Sequence, residues 1–155
     1  MGTGMMYLTL VTLHLLSAVV WLGGMLFLGL VITPALRGRP PAERATLLHL
    51  VGRRFLKIGW TALGVLLVTG AVLWSLRGFV LTPVLIAKLA LVVVILLLSL
   101  LHDFLLGPRL VAELQKGGEG KEVLRLRRRV ALLARLNVLL ALMVLILGVA
   151  FSRGL

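Results

Sequence analysis

Four apolar runs, each long enough to cross a bilayer, constrain this chain more than any other feature. They cover roughly Met5–Leu30, Phe55–Leu76, Leu81–Leu106 and Val130–Phe151. A hydrocarbon core of about 30 Å needs about 20 apolar residues of helix. None of the runs alternates with period two, which argues against a barrel. Helices also satisfy their own backbone hydrogen bonds in lipid. Composition agrees, because 61% of the residues are hydrophobic, whereas a soluble domain sits nearer half. The expected fold is therefore all-α: an integral membrane bundle of four transmembrane helices, forming a single membrane domain over residues 1–155.

The formal net charge of +12 would suggest nucleic acid in a soluble protein. Here the basic residues cluster between the apolar runs, so topology explains them and no nucleic-acid partner is expected. Arg37, Arg39, Arg44, Arg53 and Arg54 stand after the first run, and Lys57 lies just inside the second. Arg109, Lys116, Lys121, Arg125, Arg127, Arg128 and Arg129 stand after the third, with Arg135 just inside the fourth. The second connection has only Arg77 and the C-terminal tail only Arg153. This Lys/Arg bias predicts cytoplasmic loops at 37–54 and 107–129, with both termini outside. The expected location is the plasma (inner) membrane, crossed several times.

The first run is read as a retained helix. Its leader, "MGTGMMY", has no Lys or Arg, and the apolar stretch far exceeds the ~7–15 residues of a signal h-region. There is no cysteine, so disulfides and thiolate metal sites are excluded. Pro34 and the pair Pro40–Pro41 are expected to break the helix. Arg77–Gly78 should end the second helix, and Pro83 suits the first turn of the third. The stretch "QKGGEGKE" reads as a flexible polar loop. The stretch "KEVLRLRRRVALLARL" reads as an amphipathic lead-in at the headgroups.

Polar residues inside the spans carry the functional signal. His14, Ser17, Trp21 and Gly24 are spaced on one helical face, which should look into the bundle. An ionisable group in a membrane helix is a functional-site hypothesis by default. Lys88, Val92, Ile95, Ser99 and His102 mark a comparable face on the third helix. At ~1.5 Å per residue, His14 lies ~13 Å from Met5, Lys88 ~10 Å from Leu81 and Met143 ~12 Å from Phe151. The three can share one layer in the outer half of the membrane. Gly23–Gly24 and Gly70 allow close packing or room for a flat ligand. A second group gathers at the inner face: His49, Arg53, Arg54, Lys57, His102, Asp103, Arg135 and Asn137. Asp103 should pair with one of its bases. Plainer alternatives stand beside these readings. His14 could donate to a carbonyl, Lys88 could snorkel, Met143 could pack in the core, and His102 could cap a helix end. Trp60 and Trp74 suit membrane anchoring, whereas Trp21 is too deep for the aromatic belt.

Taken in order, these segments resemble a known group. "LHLLSAVVWLGGMLFLGLVITPALR" is similar to the first helix of CopD (copper resistance D) membrane proteins and of the related HemJ-type protoporphyrinogen oxidases. "GRRFLKIGWTALGVLLVTGAVL" resembles their second helix, "LIAKLALVVVILLLSLLHDFLLGPRL" their third, with its membrane lysine, and "ARLNVLLALMVLILGV" their fourth. Val138 stands where the HemJ type usually carries Glu. The resemblance implies a four-helix membrane domain handling copper or haem. For the HemJ type it implies a haem b held partly by His14, with Lys88 needed for activity.

Three functions follow. The first is binding of haem b or copper within the bundle, for metal or haem handling or electron transfer. Its cofactor-binding candidates are His14, Met143, Trp21, Gly24, Lys88 and His102; its metal-ligand candidates are His14, Met143, Met5 and Met6. Imidazole with thioether suits Cu(I), and haem iron accepts His with Met or a second His. The second is a membrane oxidoreductase of the HemJ type, with Lys88 catalytic and quinone as electron acceptor. The third is a cofactor-free structural or assembly subunit whose stripes join helices or a homodimer. The lipid bilayer is a partner in all three.

Overall fold

A computed structural model describes residues 2–117 and 120–152. Gly118 and Glu119 of the expected polar loop, and Arg153 of the tail, lie outside the described residues. Four helices are long and apolar enough to cross a membrane: α1 (Thr3–Ala35), α2 (Pro41–Leu76), α3 (Pro83–Gln115) and α4 (Lys121–Ser152). Among the described residues there is no strand. The all-helical expectation therefore holds.

The expected loops at 37–54 and 107–129 are a correction, because most of both stretches is helix. Helix α2 starts at Pro41, α3 runs on to Gln115, and α4 begins at Lys121. At ~1.5 Å per residue, 33 residues of α1 or α3 extend ~50 Å, well beyond the ~30 Å hydrocarbon core. The basic amphipathic segments are thus helical extensions of the spans, and their backbone stays satisfied where water is scarce.

As the prolines predict, α2 starts at Pro41 and α1 ends at Ala35, one residue past Pro34. A wide π turn over Leu28–Ile32 precedes it, and Thr33 N–H reaches back to the Leu28 carbonyl. The same device recurs in α3, where a π turn over Leu101–Leu106 precedes Pro108 and Gly107 N–H donates to the His102 carbonyl. Proline lacks an N–H and crowds the carbonyl four residues back. One widened turn before it relieves that crowding and lets the helix continue. Gly107 is required here, since a Cβ would sit 2.9 Å from the His102 carbonyl oxygen.

The helices pack as two antiparallel hairpins, α1 against α2 and α3 against α4. Small residues line the contacts: Ala45, Ala62 and Ala141 are buried with Leu63, Leu85 and Ile95. Without a hydrophobic force between helices in lipid, close approach of small residues does the packing. Large apolar side chains such as Leu30, Val19 and Ile146 stay exposed all round, as a lipid-facing surface requires.

Two ends can be told apart. Arg77 donates to the Tyr7 hydroxyl at 3.2 Å and lies over the Phe151 ring at 4.7 Å. This contact gathers the start of α1, the end of α2 and the end of α4, and we call it the terminal end. The opposite, basic end holds Arg39 and Lys116. Between α2 and α3 the turn is tight, with Gly78 at φ 71° and Phe79 at φ 57°. A left-handed phenylalanine is unfavourable by ~1–2 kcal/mol. It is offset by the edge-on contact of Phe79 with Trp74 at 5.1 Å and by the Trp74 Nε1–H bond to the Val80 carbonyl. Thr82 caps α3 by accepting from Leu85 N–H, with Pro83 in the first turn.

Candidate functional site

The α1 stripe faces α2, as its spacing predicts. His14, Ser17, Trp21 and Gly24 are all half-buried. The Phe55 ring of α2 fills the space a Cβ on Gly24 would need, and Trp21 approaches Gly59. Gly24 therefore serves close helix contact, while Gly23 faces open space. Ser17 lines a shallow groove with Lys57 and Thr61.

His14 is held by a residue the sequence reading did not single out. Its Nδ1 lies 2.9 Å from Thr69 Oγ1, and Thr69 is 4% exposed. The same hydroxyl lies 2.6 Å from the Val65 carbonyl oxygen. A hydroxyl has one proton, and a carbonyl can only accept it. Thr69 therefore donates to Val65 and accepts from His14 Nδ1–H. The tautomer follows: Nε2 keeps its lone pair and is free to bind a metal or haem iron. Gly70 stands beside the ring, with its missing Cβ position 3.3 Å from His14 Cε1. Depth could have found Thr69, since it lies about 10 Å from Leu76, level with His14.

Lys88 comes to the same layer from the other hairpin. Its Nζ lies 3.4 Å from the position of a Gly148 Cβ on α4. By rise along the helices it stands level with His14. Met143 is 50% exposed, Met5 69% and Met6 48%, so these thioethers stand on the lipid-facing surface. Among the described residues no three of His, Asp and Glu come together as a metal cluster.

His102 sits apart, at the basic end. Its Nδ1 is 2.7 Å from Asp103 Oδ1, and Trp60 Nε1 donates to Asp103 Oδ2 at 3.0 Å. Asp103 therefore pairs with a base of the expected inner cluster, and it also ties α2 to α3. Trp60 packs on Phe104 with ring centroids 5.4 Å apart. Asn137 donates to Ser99 at 3.0 Å, joining α4 to α3 on the face predicted for α3. Ile95 and Ser99 on that face are buried.

The copper resistance protein D (CopD) family model matches residues 49–151. The match includes Lys88, Trp60, Asp103 and Asn137, and it begins after His14. One curated relative, an uncharacterized protein of Aquifex aeolicus (strain VF5), is 34% identical over 143 residues, covering 92% of each chain. No solved structure matches. With four spanning helices and a family match over most of its length, this multi-pass membrane protein belongs to the CopD family.

Proposed function

We propose that this CopD-family protein binds haem b or copper at the seam of the two hairpins, with His14 Nε2 as first ligand, for metal or haem handling or electron transfer. One observation carries the reading: the Val65–Thr69–His14 chain fixes the imidazole and leaves Nε2 free. The Lys/Arg bias supports a basic end in the cytoplasm and an outward terminal end, with this site in the outer half of the plasma membrane.

The donor set bears on the cargo. Haem needs from the protein as little as one axial nitrogen. A bare copper ion needs several soft donors, and here His14 offers one imidazole while Met5, Met6 and Met143 face lipid. The residues fit haem directly. They fit copper when further ligands complete its shell.

The test is a visible spectrum and a metal analysis of the full chain purified in detergent, before and after reconstitution with haem and with copper(I). A haem band or stoichiometric copper, lost in His14→Ala, is the expected result. A protein that takes up neither, or a His14→Ala variant that keeps its band, overturns the reading. A His14→Ala variant that only melts earlier favours a structural or assembly subunit instead.

A further inference from the structure

Among the described residues, the acidic side chains stand in one half of the molecule. They are Glu43, Asp103, Glu113 and Glu122. None stands in the half of any helix near Tyr7, Arg77 and Phe151. Two basic side chains, Arg77 and Lys88, do stand there.

Both cations are aimed at one face of α4. Arg77 is anchored by the Tyr7 hydroxyl at 3.2 Å and by the Phe151 ring at 4.7 Å. Lys88 reaches Gly148. Gly148 and Phe151 are three residues apart on one helix, so the two points on α4 that Lys88 and Arg77 reach differ by a rise of about 4.5 Å. Lys88 is five residues into α3 from Pro83, and Gly148 is four residues short of Ser152. The lysine therefore runs level across to α4 and does not climb to the surface, where snorkelling would take it.

Among the described residues neither cation meets a carboxylate, and Lys88 Nζ makes no hydrogen bond. A lysine set inside a membrane helix is costly unless an anion joins it, and Arg77 stands at the helix end above it. An arginine fork beside a lysine suits a group with two or three anionic oxygens.

We propose that the seam between the hairpins binds, between Arg77 and Lys88, a carboxylate or phosphate carried by an amphiphilic ligand whose body lies toward His14. Only the placement of the body rests on the reading of His14 as a ligand. The anion site also separates the two cargoes. Haem carries two carboxylates that these cations attract, whereas they repel a bare copper ion.

The test uses the full chain in an uncharged detergent, without metal. The probe is metal-free mesoporphyrin, a dicarboxylate, set against its dimethyl ester, with binding read by fluorescence. The acid should bind about tenfold tighter than the ester, the order expected of a hydrogen bond to a charged group. Lys88→Gln and Arg77→Gln should each erase that preference, and Lys88→Arg should keep it. Equal binding of acid and ester by the unaltered chain overturns the proposal even if a variant fails to fold. So does an undiminished preference in folded Lys88→Gln. His14→Ala should keep the acid-over-ester ratio, so the anion site and the His14 reading fail separately. Repeating the titration in phosphatidylcholine vesicles with and without phosphatidylglycerol assigns the source. Competition by the anionic lipid makes a lipid phosphate an occupant of this site, and its absence supports a ligand-borne anion.

Discussion

At the basic end, Asp103 accepts from both Trp60 and His102, and Asn137 donates to Ser99. At the terminal end, Arg77, Lys88 and His14 gather with no carboxylate among them. Both clusters draw on three or more helices, and both contain a histidine whose Nδ1 is engaged. They differ in what remains unspent. At the basic end both oxygens of the one acid are occupied, and they tie α2 of one hairpin to α3 of the other. Among the described residues the terminal-end cluster leaves an imidazole nitrogen and the Lys88 ammonium without a hydrogen-bond partner, and gives Arg77 only a hydroxyl and a ring. Polar groups at membrane depth that do not satisfy each other point to something else that does.

That contrast yields a clean separation. Changes at the terminal end should alter ligand binding with little effect on melting, and changes at the basic end should do the reverse. The largest effect expected is in His14→Ala, where the haem or copper signal disappears while the thermal midpoint in detergent stays close to that of the unaltered chain. Next is Thr69→Val, which keeps the volume but removes the acceptor for Nδ1–H. Loss of such an orienting partner weakens metal affinity by about 10–100-fold, as measured by titration. Nitrogen-15 NMR of the ring should show one tautomer in the unaltered chain and a mixture in the variant. An unchanged affinity and a single tautomer in Thr69→Val would show that the hydroxyl does not orient His14.

Smaller effects test the other half of the comparison. Asp103→Ala strands the Trp60 and His102 donors. Each membrane hydrogen bond is worth about 0.6 kcal/mol on average and up to about 1.7, so this variant should lose about 1–2 kcal/mol. Denaturant unfolding measures it, and the ligand spectrum should not move. A shifted spectrum would link the two clusters and break the separation. Asn137→Leu should have the least effect. It loses the bond to Ser99 but also removes the buried Asn137 Oδ1, which lacks a partner. A stability change within about 0.6 kcal/mol is expected by the same scale.

The sequence by itself determined the architecture. Four apolar runs require four spanning helices, because hydropathy and run length are local properties. Helical periodicity also assigned faces, since the spacing of His14, Ser17, Trp21 and Gly24, and of Ile95 and Ser99, depends only on 3.6 residues per turn. Arithmetic on depth brought Lys88 level with His14 before any packing was known. The tertiary structure alone decided the partners. Thr69 is 55 positions from His14, Asp103 is 43 from Trp60, and Arg77 is 70 from Tyr7. Periodicity tells which way a side chain points but not which helix stands opposite or how that helix is rotated. Helix α3 also passes Pro108, because a widened turn just ahead of the ring relieves the clash that the local rule assumes. The turn of Lys88 toward Gly148, away from any described carboxylate, likewise belongs to the packed molecule.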